Sequence, residues 1–77
     1  MLEPVIHNSA KKHGISDENI RHAFHHFIRQ VDETNEIEIV IGPDLSGNLM
    51  EIGYVVKDTK VIIIHSMKAR HKFLRNL

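Results

Sequence analysis

The sequence predicts an α+β fold with two N-terminal helices, an antiparallel meander of about four strands, and a short C-terminal helix. Three observations predict it. Apolar residues recur at helical spacing from Ile20 to Ile28. The period falls to two from about Arg29 onward, and a last apolar run, "VIIIH", opens into a basic tail of helix-forming residues.

The first helix is expected from Pro4, which suits the first helical position, to Gly14, placed like a residue just past a C-cap. Glu3 lies near its positive end, and Lys11, Lys12 and His13 in its last turn. Val5, Ile6 and Ala10 would make its apolar side. The second helix is signalled by Ser16 as N-cap, with Asp17 and Glu18 in the first turn. Ile15 and Ile20 have the spacing of a hydrophobic staple. Ile20, Ala23, Phe24, Phe27 and Ile28 then form one face, with Arg21, His22, His25 and His26 on the other.

The strands follow. "RQVDE" is a first, short strand, and in "EIEIVI" Ile37, Ile39 and Ile41 share one side opposite Glu38. "GPDLSGN" has loop chemistry. "LMEIGYVV" is a third strand in which Gly53 suggests a bulge or a close backbone approach. "KDTK" is a polar turn. "VIIIH" has no polar side, which suits a central strand covered on both faces. In the tail, "MKARHKFLRNL", Ala69, Phe73 and Leu77 would pack a short helix.

The chain has 77 residues, 42% of them apolar and 26% charged, which suits one globular domain over residues 1–77. With no cysteine, disulfides and thiolate metal sites are excluded, and the cytoplasm is the expected compartment. No apolar run approaches a membrane span and no signal peptide is recognised, so no membrane partner is expected. The zero net charge conceals a division. Residues 32–58 hold Asp32, Glu33, Glu36, Glu38, Asp44, Glu51 and Asp58 against Lys57 alone, whereas residues 66–77 hold Lys68, Arg70, Lys72 and Arg75 with no acid. Two surfaces with different partners would explain the split, and so would ordinary solvated strands and helices.

Chemistry concentrates in that tail. RNA phosphodiester cleavage needs a base for the 2′-hydroxyl, cations for charge developing on phosphorus, and an acid for the 5′-oxygen. Imidazole serves in proton transfer near neutral pH, and Lys or Arg supplies fixed charge. The catalytic candidates are His65, Lys68, Arg70 and His71. The RNA-binding candidates are Lys12, His13, Arg21, Lys72 and Arg75. An exposed basic helix is the plainer reading of the same run. No phosphate loop or serine-nucleophile motif is present. His22 and His26 lie one helical turn apart, but without an accompanying acid they read as a solvated helix face, so neither a metal nor a cofactor is expected.

Three segments together resemble the BrnT-type toxins of the RelE superfamily. In "KKHGIS", Lys12, His13, Gly14 and Ser16 fit that family's opening junction. In "IGPDLSGNLMEIGYVV", Gly42, Gly47, Leu49, Val55 and Val56 fit its strand region. In "IIIHSMKARHKF", Ile63, Ile64, Lys68 and Ala69 fit its last strand-to-helix segment. His71 and Lys72 fall where the family places arginines, and Met67 stands where it has an arginine before the lysine. The likeness spans about residues 6–74. It implies a RelE-like domain acting as the toxin of a type II toxin–antitoxin pair, an endoribonuclease that cleaves mRNA, generally on the ribosome. It also implies a cognate antitoxin protein as partner, with operator DNA reached only through that antitoxin. A non-catalytic protein-binding module on the same fold is the alternative.

Overall fold

The computed structural model describes residues 3–31 and 36–75. A five-stranded sheet dominates, with strands β1 (Val5–Ile6), β2 (Arg29–Val31), β3 (Glu38–Pro43), β4 (Leu49–Lys57) and β5 (Lys60–Lys68). The strand order is β1-β5-β4-β3-β2. Strands β2 to β5 pair antiparallel in sequence order, and β1 joins β5 in parallel through Val5 opposite Ile62 and Ile6 opposite Ile63. Among the described residues one nine-residue helix, α1 (Asp17–His25), one of four residues, α2 (His71–Leu74), and a single 3-10 turn at Asn8–Lys11 complete the structure.

This overturns the expected α+β arrangement of two N-terminal helices over four antiparallel strands, and with it the RelE-like architecture that the resemblance implied. The molecule is mostly a mixed sheet. The first expected helix, Pro4 to Gly14, is absent, because Val5 and Ile6 are β-branched and find an open strand edge to pair with. The ladder continues in His7 N–H to the Ile63 carbonyl at 2.9 Å. His7 then accepts the Ser9 amide through its ring, starting the 3-10 turn. The 3-10 turn ends at Lys11 with Lys12 as its C-cap, and Gly14, three residues past its end, takes a φ of 76° that favours glycine.

The helix signalled at Ser16 forms. Its hydroxyl accepts the Asn19 amide at 3.2 Å, and Ile20, Ala23 and Phe24 are buried. It stops at His25, however, short of the predicted Phe27 and Ile28. The Ile28 amide bonds the Ile41 carbonyl at 2.8 Å, so strand pairing captures the chain there. Phe27 is left 47% exposed and Ile28 61%. Of the predicted strand "RQVDE", Arg29–Val31 is β2, while Asp32 and Glu33 lie outside the described residues, as does Leu77 of the tail. The "VIIIH" strand is interior to the sheet, flanked by β1 and β4, although β4 rather than β5 holds the middle.

The sheet has two unlike faces. On the α1 side, Ile20, Ala23 and Phe24 pack with Ala10, Val40, Met50, Ile52 and Ile63. Gly42 makes this approach possible, since a Cβ there would lie 2.1 Å from the Ala23 carbonyl oxygen. On the α2 side a smaller cluster joins Ile41, Ala69 and Phe73. The four residues of α2 cannot cover that face, and the part they leave open carries polar groups.

Candidate active site

Pairing register places the polar groups. Ile41 faces Glu51 and Ile39 faces Gly53 across β3 and β4, so these four share the α2 side. On β5, the register with β4 shifts between Gly53 and Tyr54: Tyr54 pairs with Ile63, whereas Gly53 pairs with His65. Ile64 is the extra residue of a bulge. Without it His65 would pair with Ile52 and point to the α1 side, because a one-residue slip exchanges the faces. The bulge turns His65 towards Glu51.

Glu51 is completely buried, a carboxylate at 0% exposure. Arg70 donates to it three times, from its backbone amide at 3.0 Å, from Nε to Oε1 at 2.9 Å and from Nη2 to Oε2 at 2.8 Å. His65 Nε2 lies 2.9 Å from Oε2. Burial pushes the Glu51 carboxyl up, but the hydrogen bonds from Arg70 and His65 overcome it and hold the group below its ordinary value. An ionised carboxylate only accepts, so His65 donates through Nε2 and keeps Nδ1 for other work. Glu51 also serves as the cap of α2: Arg70 occupies the N-cap position, its own side chain makes no capping bond, and its amide goes to the carboxylate.

These groups border a cavity of about 280 Å³ lined by Ile37, Ile39, Ile64, His65 and Arg70. Gly53 leaves the His65 ring its place, since a Cβ there would come 3.1 Å from His65 Cβ and 3.3 Å from Ile37 Cγ2. The His13 ring stands edge-on to His65, with centroids 6.1 Å apart. The 3-10 turn brings it there, anchored to β5 by Ser9 Oγ donating to the Ile64 carbonyl and Ser66 Oγ to the Ala10 carbonyl, each at 2.8 Å.

Of the predicted residues, the structure thus unites His65, Arg70 and His13. Lys12, next to His13 in the same turn, is exposed. Lys68 pairs with Met50 and belongs by register to the α1 side, away from His65. His71 and Lys72 are exposed on α2, with Lys72 Nζ 4.8 Å from the centre of the Phe73 ring. Arg21 lies on α1 and binds the Glu3 carboxylate and the Pro4 carbonyl at 3.2 and 3.0 Å. Arg75 is exposed, and its carbonyl accepts from Arg29. Glu51, which organises the site, was read in the sequence as one more surface acid. The signal that could have found it is its position between Met50 and Ile52 in an otherwise apolar strand.

Among the described residues no group of three or more histidine, cysteine or acidic side chains is placed to hold a metal ion. No helix of the described residues is long and apolar enough to cross a membrane. No protein family, curated protein or solved structure matches the chain.

Proposed function

We propose that the chain is an RNA-cleaving toxin of a toxin–antitoxin pair, a cytoplasmic endoribonuclease whose antitoxin neutralises it. The observation that carries this reading is the buried Glu51 carboxylate, which holds a proton-transfer group and a fixed cation, His65 and Arg70, at the rim of one cavity. In the reaction, His65 Nδ1 takes the proton of a ribose 2′-hydroxyl while the 2′-oxygen attacks phosphorus. The bond to the 5′-oxygen breaks, and the His13 imidazolium gives that oxygen a proton. Arg70 faces the charge developing on the phosphate. The apolar wall of Ile37, Ile39 and Ile64 provides a surface for a base. Lys12, Lys72 and Arg75 extend the positive surface along the RNA backbone.

A second reading, a non-catalytic module that holds a protein partner, is favoured by one observation. Arg70 is engaged by Glu51 through Nε, Nη2 and its backbone amide, as an anchor for the tail would be. One experiment separates the two. The protein and its His65→Ala variant are induced without an antitoxin, and the 5′ ends of cellular mRNA are mapped. The nuclease reading expects growth arrest and new ends with the parent protein and neither with the variant. Intact mRNA with both proteins favours the binding module.

A further inference from the structure

The α1 side of the sheet carries a feature that RNA chemistry does not use. His22 and His26 are the two ends of one helical turn, closed by the His26 amide bonding the His22 carbonyl at 3.0 Å. Their rings stand with centroids 4.4 Å apart and planes tilted by 39°. His22 Nδ1 lies 2.8 Å from the Pro43 carbonyl oxygen. A carbonyl only accepts, so the proton sits on Nδ1 and Nε2 carries the lone pair. This is the arrangement by which proteins orient a metal-binding imidazole, a backbone oxygen fixing the tautomer from behind.

The support behind that carbonyl is firm. Pro43 closes β3 next to Gly42, which lies against the backbone of Ala23 in α1. Neither His22 nor His26 is ion-paired to a carboxylate among the described residues. Their helix neighbour His25 differs, being 3.2 Å from Glu3. His26 is exposed, so an ion can enter from solvent.

We propose that His22 and His26 form a two-imidazole site for a borderline divalent transition ion, of the nickel, copper and zinc class. Imidazole nitrogen suits these ions, whereas magnesium and calcium prefer oxygen. No third side chain of the usual ligand types joins them among the described residues, so water completes the coordination and the ion exchanges. The bound ion clamps the last turn of α1 at the point where the chain leaves the helix for Phe27 and β2.

The test uses the full chain without an affinity tag. Nickel and zinc chlorides are titrated by calorimetry, with nitrogen-detected NMR of the imidazoles in parallel. The expected result is one ion per chain, with resonances of His22 and His26 moving and those of the other histidines staying. The melting temperature should rise as the ion saturates the folded state. His26→Ala, at an exposed position, should weaken binding about tenfold or more, while His25→Ala leaves it unchanged. Three results would overturn the proposal: undiminished affinity in His26→Ala, binding spread over all seven histidines, or no binding below about 1 mM. If His26→Ala does not fold, the NMR assignment on the parent protein decides the question.

Discussion

The two faces of the sheet solve the problem of cover in opposite ways. On the α1 side a nine-residue helix, capped by its own neighbour Ser16, seals an apolar layer around Ile52 and Ile63. On the α2 side a four-residue helix takes its cap from across the sheet, from Glu51, and covers only one end. The sealed face obtains its stability from packing. The half-open face gives up packing for a buried charge, a histidine and a cavity. The difference teaches where chemistry is affordable in a chain this small: on the side that the long helix does not use.

Truncations should break the comparison most sharply. Ile52→Ala, at a site with no exposure, is expected to cost about 4 kcal/mol, and Ile39→Ala, half-buried at the cavity, about 1.5 kcal/mol. Urea denaturation measures both, and equal losses would mean the faces are equally packed. The glycines come next. A methyl at Gly42 meets backbone that cannot give way, so Gly42→Ala should cost about 3 kcal/mol. At Gly53 it meets the side chains of His65 and Ile37, which can shift, so Gly53→Ala should cost about 1 kcal/mol. Any RNA cleavage should nevertheless fall about tenfold or more as His65 is displaced.

Glu51→Gln removes the charge but keeps the shape, and should cost about 2 kcal/mol. The loss should appear first as faster amide exchange in α2, with α1 unaffected. Its pH dependence has a definite sign. The folded carboxyl is held below its ordinary value near 4.5, so its contribution is complete above that pH and is lost as pH falls through the folded value. Glu51→Gln should therefore flatten part of the acid limb of a stability profile between pH 5 and pH 2. Asp44 and Glu3, also lowered, leave the remainder. The last effect belongs to the other helix. Ser16→Ala should cost about 1 kcal/mol and leave α2 exchange unchanged.

Local signals were legible in the sequence wherever a residue acts on its neighbours. Ser16 as a cap and the change of period after α1 are both of this kind. Gly53 also marked an irregularity, although the extra residue sits opposite, at Ile64. What the sequence did not disclose depends on partners distant in the chain. Val5 and Ile6 are a strand only because β5 offers them an edge. Phe27 and Ile28 continue the helical pattern but are lost to pairing with β3. The site was legible in part for the same reason. His65 and Arg70 stand out as residue types, but Lys68 and His71 were grouped with them by closeness in sequence. Alternation along β5 sends Lys68 to the opposite side, and α2 carries His71 out to solvent. Glu51 is the case most dependent on register, since its partners arrive 14 and 19 residues later.

The parallel pairing of β1 with β5 has a kinetic consequence. Ser66 holds the Ala10 carbonyl across 56 residues of chain, so the first and last strands meet only through the longest loop in the molecule. Contacts of such range slow folding. During synthesis β1 and the 3-10 turn must wait without a partner while α1 and the three strands between them emerge. The strand that ends the wait also delivers His65. Closure of the sheet and assembly of the site are therefore one event, and a nascent chain halted before β5 possesses neither.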